Sequence, residues 1–266
     1  MIISIIIGFQ YESHPTIDTI PGLIIDLFRA FEYSQSVLKS DKIFFITDIT
    51  QSPSIDDVLS SIIDGSLSSD IISFYEKITS SNVSIYNCFH LQQLLKSIEK
   101  IKQNYIDNTK IIVYFSGHGW KSFGLLPSGE PFEFNWLLPS ISSYTCIFLL
   151  DCCEAKPKHY NYIYTLDNSS TSFCKSDIIN HQSSNNSIIY ITPLIEYPVS
   201  NKNGSPFSKL IFNSLTKKNL LWKNLKPCYI YSSHIINTQI PYWLFGLSSN
   251  VDNVTINPHF IKISFL

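Results

Sequence analysis

The chain has 266 residues and a formal net charge of −2, with 19 Lys and Arg against 21 Asp and Glu. Its length suits one large domain or two small ones and is enough to bury a sizeable core, and its charge balance argues against a nucleic-acid footprint. The apolar start Met1 to Ile7 lacks a basic flank and is too short for a signal peptide, and no stretch approaches the roughly 18 apolar residues of a membrane span. The expectation is therefore a soluble, cytoplasmic protein whose six cysteines (Cys88, Cys146, Cys152, Cys153, Cys174 and Cys228) are free thiols in a reducing compartment.

Ile2 to Ile7 reads as a first strand, ended by Gly8. After a loop through Tyr11, His14 and Pro15, a helix is predicted from near Pro21, a residue suited to a first helical turn. Leu23, Leu27 and Phe31, with Ile24 and Phe28, recur along it at helical spacing. Asp26 falls in its first turns, where a carboxylate interacts well with the helix dipole. Ile43 to Ile46 is a second buried-type strand, ended by Thr47-Asp48. Residues 51 to 80 are Ser- and Asp-rich and read as a broken helix and a surface loop. Leu91, Leu94, Leu95, Ile98 and Ile101 mark an amphipathic helix. The order of strand, helix, strand, helix, strand predicts an α/β fold with a mainly parallel sheet.

Two further apolar runs carry the chemistry. Ile111-Ile112-Val113-Tyr114-Phe115 is followed at once by Ser116-Gly117-His118-Gly119, and Cys146-Ile147-Phe148-Leu149-Leu150 by Asp151-Cys152-Cys153. Neither run alternates, which is how strands covered on both faces read. In open parallel sheets the site lies beyond the carboxyl ends of the strands, so both motifs are expected at one edge. A single His after a strand is most often a loop or packing residue, and a single Cys a small buried apolar one. A His and a Cys each placed directly after a buried-type strand are the minimum for nucleophilic catalysis by a thiolate. Zinc fits less well, because adjacent Cys152 and Cys153 do not easily share one tetrahedral ion and no C-x-x-C pair accompanies them.

Between these runs, Gly124 to Glu130 looks like a small hairpin and Phe134 to Leu138 like a helical turn. Residues 154 to 187 are rich in Asn, Ser and Lys and read as an exposed loop. Ile188 to Thr192 is the next strand. Gly204-Ser205-Pro206-Phe207 opens a helix that Ser205 is placed to cap. Tyr229 to Ser232 is a sixth short strand, and the apolar segments Tyr242 to Phe245 and Val254 to Leu266 are expected to add edge strands.

On Tyr114-Phe115-Ser116-Gly117-His118-Gly119 and Leu149-Leu150-Asp151-Cys152-Cys153 the chain resembles the caspase-like cysteine peptidases, most closely the metacaspase and paracaspase branch. Gly8 with Tyr11, Gly22 with Asp26 four residues on, and Gly204-Ser205-Pro206-Phe207-Ser208 are weaker flanking matches. The resemblance covers nearly the whole chain. It implies a three-layer α/β/α sandwich around a mainly parallel sheet of six or slightly more strands. Residues 1–153 would form a large-subunit-like part, 154–187 an inter-subunit loop and 188–266 a small-subunit-like part. It implies that Cys153 is the nucleophile and His118 the general acid and base, with the backbone N–H groups of Gly119 and Cys153 forming the oxyanion hole. Asp26 and Asp151 fall where metacaspases place the carboxylates of the S1 pocket. The substrates implied are proteins or peptides cleaved after Arg or Lys, acted on by a monomer without nucleic acid or membrane partners.

The chain also departs from that pattern. Glu154-Ala155-Lys156 follows the nucleophile where many metacaspases continue His-Ser-Gly, and a carboxylate beside a thiolate tends to raise its pKa. Only Glu130 and Glu133 lie between His118 and Cys153, too few acids for a calcium site of the metacaspase kind, so no metal or cofactor is expected. No prodomain is expected ahead of the first strand. Lys156, Lys158 and Lys175 make self-cleavage in the 154–187 loop compatible with basic specificity, as is a plain solvated linker. The alternative function is an inactive homologue acting as a protein-binding regulator or decoy. An unrelated α/β hydrolase or transferase is a third reading, against which the absence of G-x-S-x-G and G-x-G-x-x-G counts.

Overall fold

The computed structural model describes residues 1–20, 22–49, 82–120, 122–153, 162–166, 171–175, 186–193, 204–216, 228–232 and 263–264. In chain order these form β1 (Ile2–Gly8), α1 (Leu23–Glu32), β2 (Lys42–Thr47), β3 (Val83–Asn87), α2 (Leu91–Lys102) and β4 (Thr109–Ser116). A small meander follows, of β5 (Gly119–Trp120), β6 (Phe123–Leu125) and β7 (Pro131–Phe132), then a 3-10 turn at Phe134–Leu137 and β8 (Tyr144–Asp151). The remaining elements are β9 (Tyr162–Leu166), β10 (Thr171–Lys175), β11 (Ser187–Pro193), α3 (Pro206–Thr216), β12 (Cys228–Ser232) and β13 (Ile263–Ser264).

The main sheet runs in the order β13-β10-β9-β12-β11-β8-β4-β1-β2-β3. Its centre is a block of six parallel strands, β3-β2-β1-β4-β8-β11, with helices on both faces. That is the expected three-layer sandwich with a mainly parallel sheet. The physical cause is visible in β1, β4 and β8, whose apolar side chains are buried on both faces. β12 runs antiparallel to β11, and the β9-β10 hairpin extends the sheet beyond it.

Side chains alternate between the two faces of a strand. Ile3, Ile5 and Ile7 align with Ile111, Val113 and Phe115 and then with Cys146, Phe148 and Leu150. This face is covered by α2 and the 3-10 turn, where the Tyr105 hydroxyl donates to the Leu137 carbonyl (2.9 Å) and Tyr190 stacks on Phe148. Ser4, Ile6 and Gly8 align with Ile112, Tyr114 and Ser116 on the opposite face, under α1 and α3.

The structure adds to and moves several predicted elements. α1 starts at Leu23, after Gly22, so its first turn lies beyond Pro21, which is outside the described residues. Ile25, Asp26 and Ala30 are buried alongside Leu23, Leu27 and Phe31, because the helix is packed by both the sheet and α3. β3 is an element the periodicity reading passed over. It is half exposed and alternating, with Ile85 45% exposed, and so lacks the solid apolar run of its neighbours. The polar stretch expected as a loop over 154–187 contains the β9-β10 hairpin, so only parts of it connect elements. The expected hairpin and helical turn are present as β6-β7 and Phe134–Leu137. The readings of 51–80, of Tyr242 to Phe245 and of most of Val254 to Leu266 fall outside the described residues.

Helix α2 tests the packing argument. Leu94 is fully buried while Leu95, its neighbour, is 41% exposed. Leu94→Ala is expected to cost about 3 kcal/mol by its lost burial and the cavity left behind. Leu95→Ala is expected to stay within about 0.5 kcal/mol. Urea denaturation monitored by circular dichroism measures both, and equal costs would contradict the assignment of the buried face.

Candidate functional site

From β1 the chain moves outward to β2 and β3, then returns to the other side of β1 as β4. The strand order thus reverses between β1 and β4, the place where open α/β sheets bind ligands beyond their carboxyl ends. Gly8, Ser116 and Asp151 form one row across the ends of β1, β4 and β8. His118 lies two residues beyond Ser116, and Cys153 two residues beyond Asp151. The two motifs therefore leave the sheet side by side, tied by a hydrogen bond from the Gly117 N–H to the Asp151 carbonyl (3.3 Å).

The two glycines around His118 are accounted for by close approach. A Cβ on Gly119 would overlap the Cys153 carbonyl oxygen and sit 3.0 Å from the Cys152 sulfur. A Cβ on Gly117 would sit 2.8 Å from the Tyr11 hydroxyl and 2.7 Å from the Phe115 ring. Gly119 pairs with Gly124 in β6, while the Leu125 N–H donates to the His118 carbonyl (2.9 Å). That bond marks Gly119-Gly124 as a non-hydrogen-bonded pair, which turns the Gly119 N–H away from β6. Of the two adjacent cysteines, Cys152 is buried, and burial, with Asp151 and Cys153 nearby, pushes its thiol well above the ordinary range. Cys153 is the more exposed of the pair.

The loop between β1 and α1 holds His118. Its Nε2 lies 2.7 Å from the Asp18 carbonyl oxygen, its backbone N–H donates to the Tyr11 hydroxyl oxygen (2.9 Å), and the Tyr11 ring meets the imidazole edge-on with centroids 4.8 Å apart. A carbonyl only accepts, so this contact assigns the proton to Nε2 and leaves Nδ1 as the basic nitrogen when the ring is neutral.

Asp26 and Asp151 are brought together under α1, both buried. Asp26 Oδ1 accepts from the Ser205 N–H (2.8 Å) and from the Ser208 hydroxyl, with Arg29 at 3.5 Å. Asp151 Oδ2 accepts from the Tyr114 hydroxyl (2.9 Å) and from the Ser205 hydroxyl. Ser205 also caps α3, its oxygen accepting the Ser208 N–H (2.9 Å). Arg29, the chain's single arginine, donates to the Ser208 hydroxyl as well (2.9 Å). Both carboxyls are raised: Asp26 by burial, against the pull of its hydrogen bonds and Arg29, and Asp151 by burial and by the charge of Asp26. The bland expectation for Asp26, a dipole partner in a first helical turn, describes its place but not its buried ties to α3.

This pairing has a pH signature. A carboxyl whose pKa is higher folded than unfolded binds its proton more tightly in the folded chain. Its contribution is complete below the unfolded value of about 4 and is lost as the pH rises through the folded value. Asp151→Asn removes the titration, so its melting temperature relative to wild type should become steadily more favourable from pH 5 to pH 8. A difference that stays constant across that range, measured by calorimetry, would show that Asp151 ionises normally.

The sequence singled out His118, Cys153, Gly119, Asp26 and Asp151, and the structure gathers all five at the sheet's carboxyl edge or directly beneath it. It missed Tyr11 and Asp18 as partners of His118, and Tyr114, Ser116, Arg29 and Ser208 as neighbours of the carboxylates. Tyr11 carried a signal in its place just after the first strand, but hydrogen bonds to a residue 107 positions away leave no local pattern. Glu154 lies outside the described residues. Among the described residues no helix is long and apolar enough to cross a membrane, and no three His, Cys, Asp or Glu side chains gather as a metal site. No protein-family model matches the chain, and no curated protein matches it.

Proposed function

We propose that this chain is a cysteine endopeptidase of the metacaspase type that hydrolyses peptide bonds after Arg or Lys. The observation that carries the reading is the meeting of Ser116-Gly117-His118-Gly119 and Asp151-Cys152-Cys153 at the ends of adjacent parallel strands, with Gly119 packed onto the backbone of Cys153. Cys153 then attacks the scissile carbonyl carbon as a thiolate. His118 takes the thiol proton and gives it to the leaving amine as the carbon–nitrogen bond breaks. Water, deprotonated by the same imidazole, cleaves the thioester and returns Cys153 to its starting state. The Asp18 carbonyl holds the ring in the tautomer this requires. The Gly119 N–H, turned away from β6, joins that of Cys153 in stabilising the oxyanion. Asp26 and Asp151, in their ionised fraction, supply a negative field that favours a basic side chain and disfavours an acidic one; burial, which raises both carboxyls, and Arg29 offset part of it.

Fluorogenic peptides carrying Arg, Lys or Asp at the cleaved position, assayed with and without calcium, test the reading. Cleavage after Arg and Lys is expected, independent of calcium. Cleavage after Asp alone would overturn the specificity.

A second reading, an inactive homologue that binds proteins, is favoured by Glu154, whose carboxylate directly follows the nucleophile. It predicts that thiol-reactive peptides leave Cys153 unlabelled.

A further inference from the structure

We infer that Tyr11 is a positioning residue for His118, and that Asp48, at the end of β2, holds Tyr11 in its working conformation. The inference rests on His118 acting as the base for Cys153.

Tyr11 is fully buried, yet its backbone is left-handed, with φ 64°. That conformation is uncommon for a bulky residue and persists where the surroundings enforce it. The enforcement comes from one side chain. Asp48 Oδ1 accepts the Gln10 N–H (2.7 Å) and Oδ2 the Tyr11 N–H (2.8 Å). Hydrogen bonds to a carboxylate are among the stronger ones in proteins, and these two fix consecutive peptide units of the loop. The His14 N–H then closes a turn onto the Tyr11 carbonyl (3.1 Å).

So held, the Tyr11 phenol reaches beneath His118. Its hydroxyl donates to the Leu125 carbonyl (2.8 Å) and accepts the His118 N–H, which fixes the base's backbone to the β5-β6 hairpin. Burial keeps this phenol protonated far above its usual pKa, so its donor role does not change with pH. The same loop continues to Asp18, whose carbonyl meets the other end of the imidazole. One loop therefore grips His118 at the main chain, at the ring edge and at Nε2, and Asp48 is its anchor. Among the described residues, the Tyr11 phenol and the Asp18 carbonyl contact His118, and the Cys152 sulfur lies close to Gly119, the next residue.

Tyr11→Phe keeps the ring and removes the acceptor, while Asp48→Asn keeps the size and removes the charge. The test is the pH profile of Cys153 alkylation by iodoacetamide, followed by peptide-resolved mass spectrometry, which needs no substrate. A misplaced imidazolium stabilises the thiolate less. The profile of each variant should therefore move up by about one pH unit, and alkylation below neutrality should slow about tenfold. A purely structural role would lower the melting temperature and leave the profile in place. A profile in folded Tyr11→Phe that superimposes on wild type overturns the inference. So does failure of both variants to fold, which would make the loop a folding element rather than a positioning one. His118→Ala separates the two levels. If it leaves the wild-type profile unchanged, the dyad itself is wrong; if it shifts the profile and Tyr11→Phe does not, only the role of Tyr11 is lost.

Discussion

Replacing Cys153 by Ala is expected to lower kcat/KM for Arg and Lys peptides by at least about a thousandfold, the loss typical of a removed nucleophile, while circular dichroism and melting temperature stay close to wild type. The adjacent Cys152→Ala is expected to retain most activity. The contrast is informative because the two cysteines differ only in placement. Cys152 is packed under Gly119 with its thiol raised by burial, a poor source of thiolate. Cys153 is more exposed, at the place the turn after β8 presents. Loss of activity in Cys152→Ala with retention in Cys153→Ala would reverse the assignment. Retention in both would show that neither cysteine is the nucleophile and would overturn the cysteine-peptidase reading; absence of cleavage in the wild type itself is what would return weight to the protein-binding alternative.

Gly119→Ala is the second large effect. The added methyl would overlap the Cys153 carbonyl oxygen, a main-chain atom that moves only by shifting the turn that carries Cys153. It would also disturb a proposed oxyanion donor, and loss of one such donor typically costs about 100- to 1,000-fold in kcat. A loss of at least about 100-fold is therefore expected, mainly in kcat rather than KM. Gly117→Ala is the matched comparison. Its methyl meets the ends of the Phe115 and Tyr11 side chains rather than main chain. Its expected loss is about tenfold, within the size of one disturbed hydrogen bond. Steady-state kinetics on the same peptides measures both. Equal effects would mean that the approach of Gly119 to Cys153 has no special part in the chemistry.

What was legible in the sequence follows from local patterns. Solid apolar runs in β1, β2, β4, β8 and β11 mark strands buried on both faces, and that feature alone implies a parallel sheet between helix layers. The punctuation after β4 and β8 marks the sheet edge where the chain leaves the strands, so His118 and Cys153 could be placed there as candidates. The capping of α3 by Ser205 was equally readable, since a cap is a contact between residues three apart. β3 was not read, because a half-exposed strand takes its place from neighbours in the sheet rather than from its own apolar content; the β9-β10 hairpin was not read, because its two five-residue runs lie within a stretch otherwise rich in Asn, Ser and Lys.

The sequence by itself determined the fold class, the strand ends and the identity of the residues that meet there. Only the tertiary structure decided how they are supported. Asp26 looked like a dipole partner of its own helix, and became a buried link to α3 once Ser205 and Ser208 were brought against it. Asp151 acquired a raised carboxyl because folding places Asp26 nearby in a medium that solvates charge poorly. Arg29, Tyr11, Asp18 and Asp48 gained their partners through hydrogen bonds and contacts between segments far apart in the chain. Such bonds depend on direction and distance in three dimensions, and no spacing along the chain encodes them; apolar burial does have a period, and that is why the strands and helices could be read and the network around the site could not.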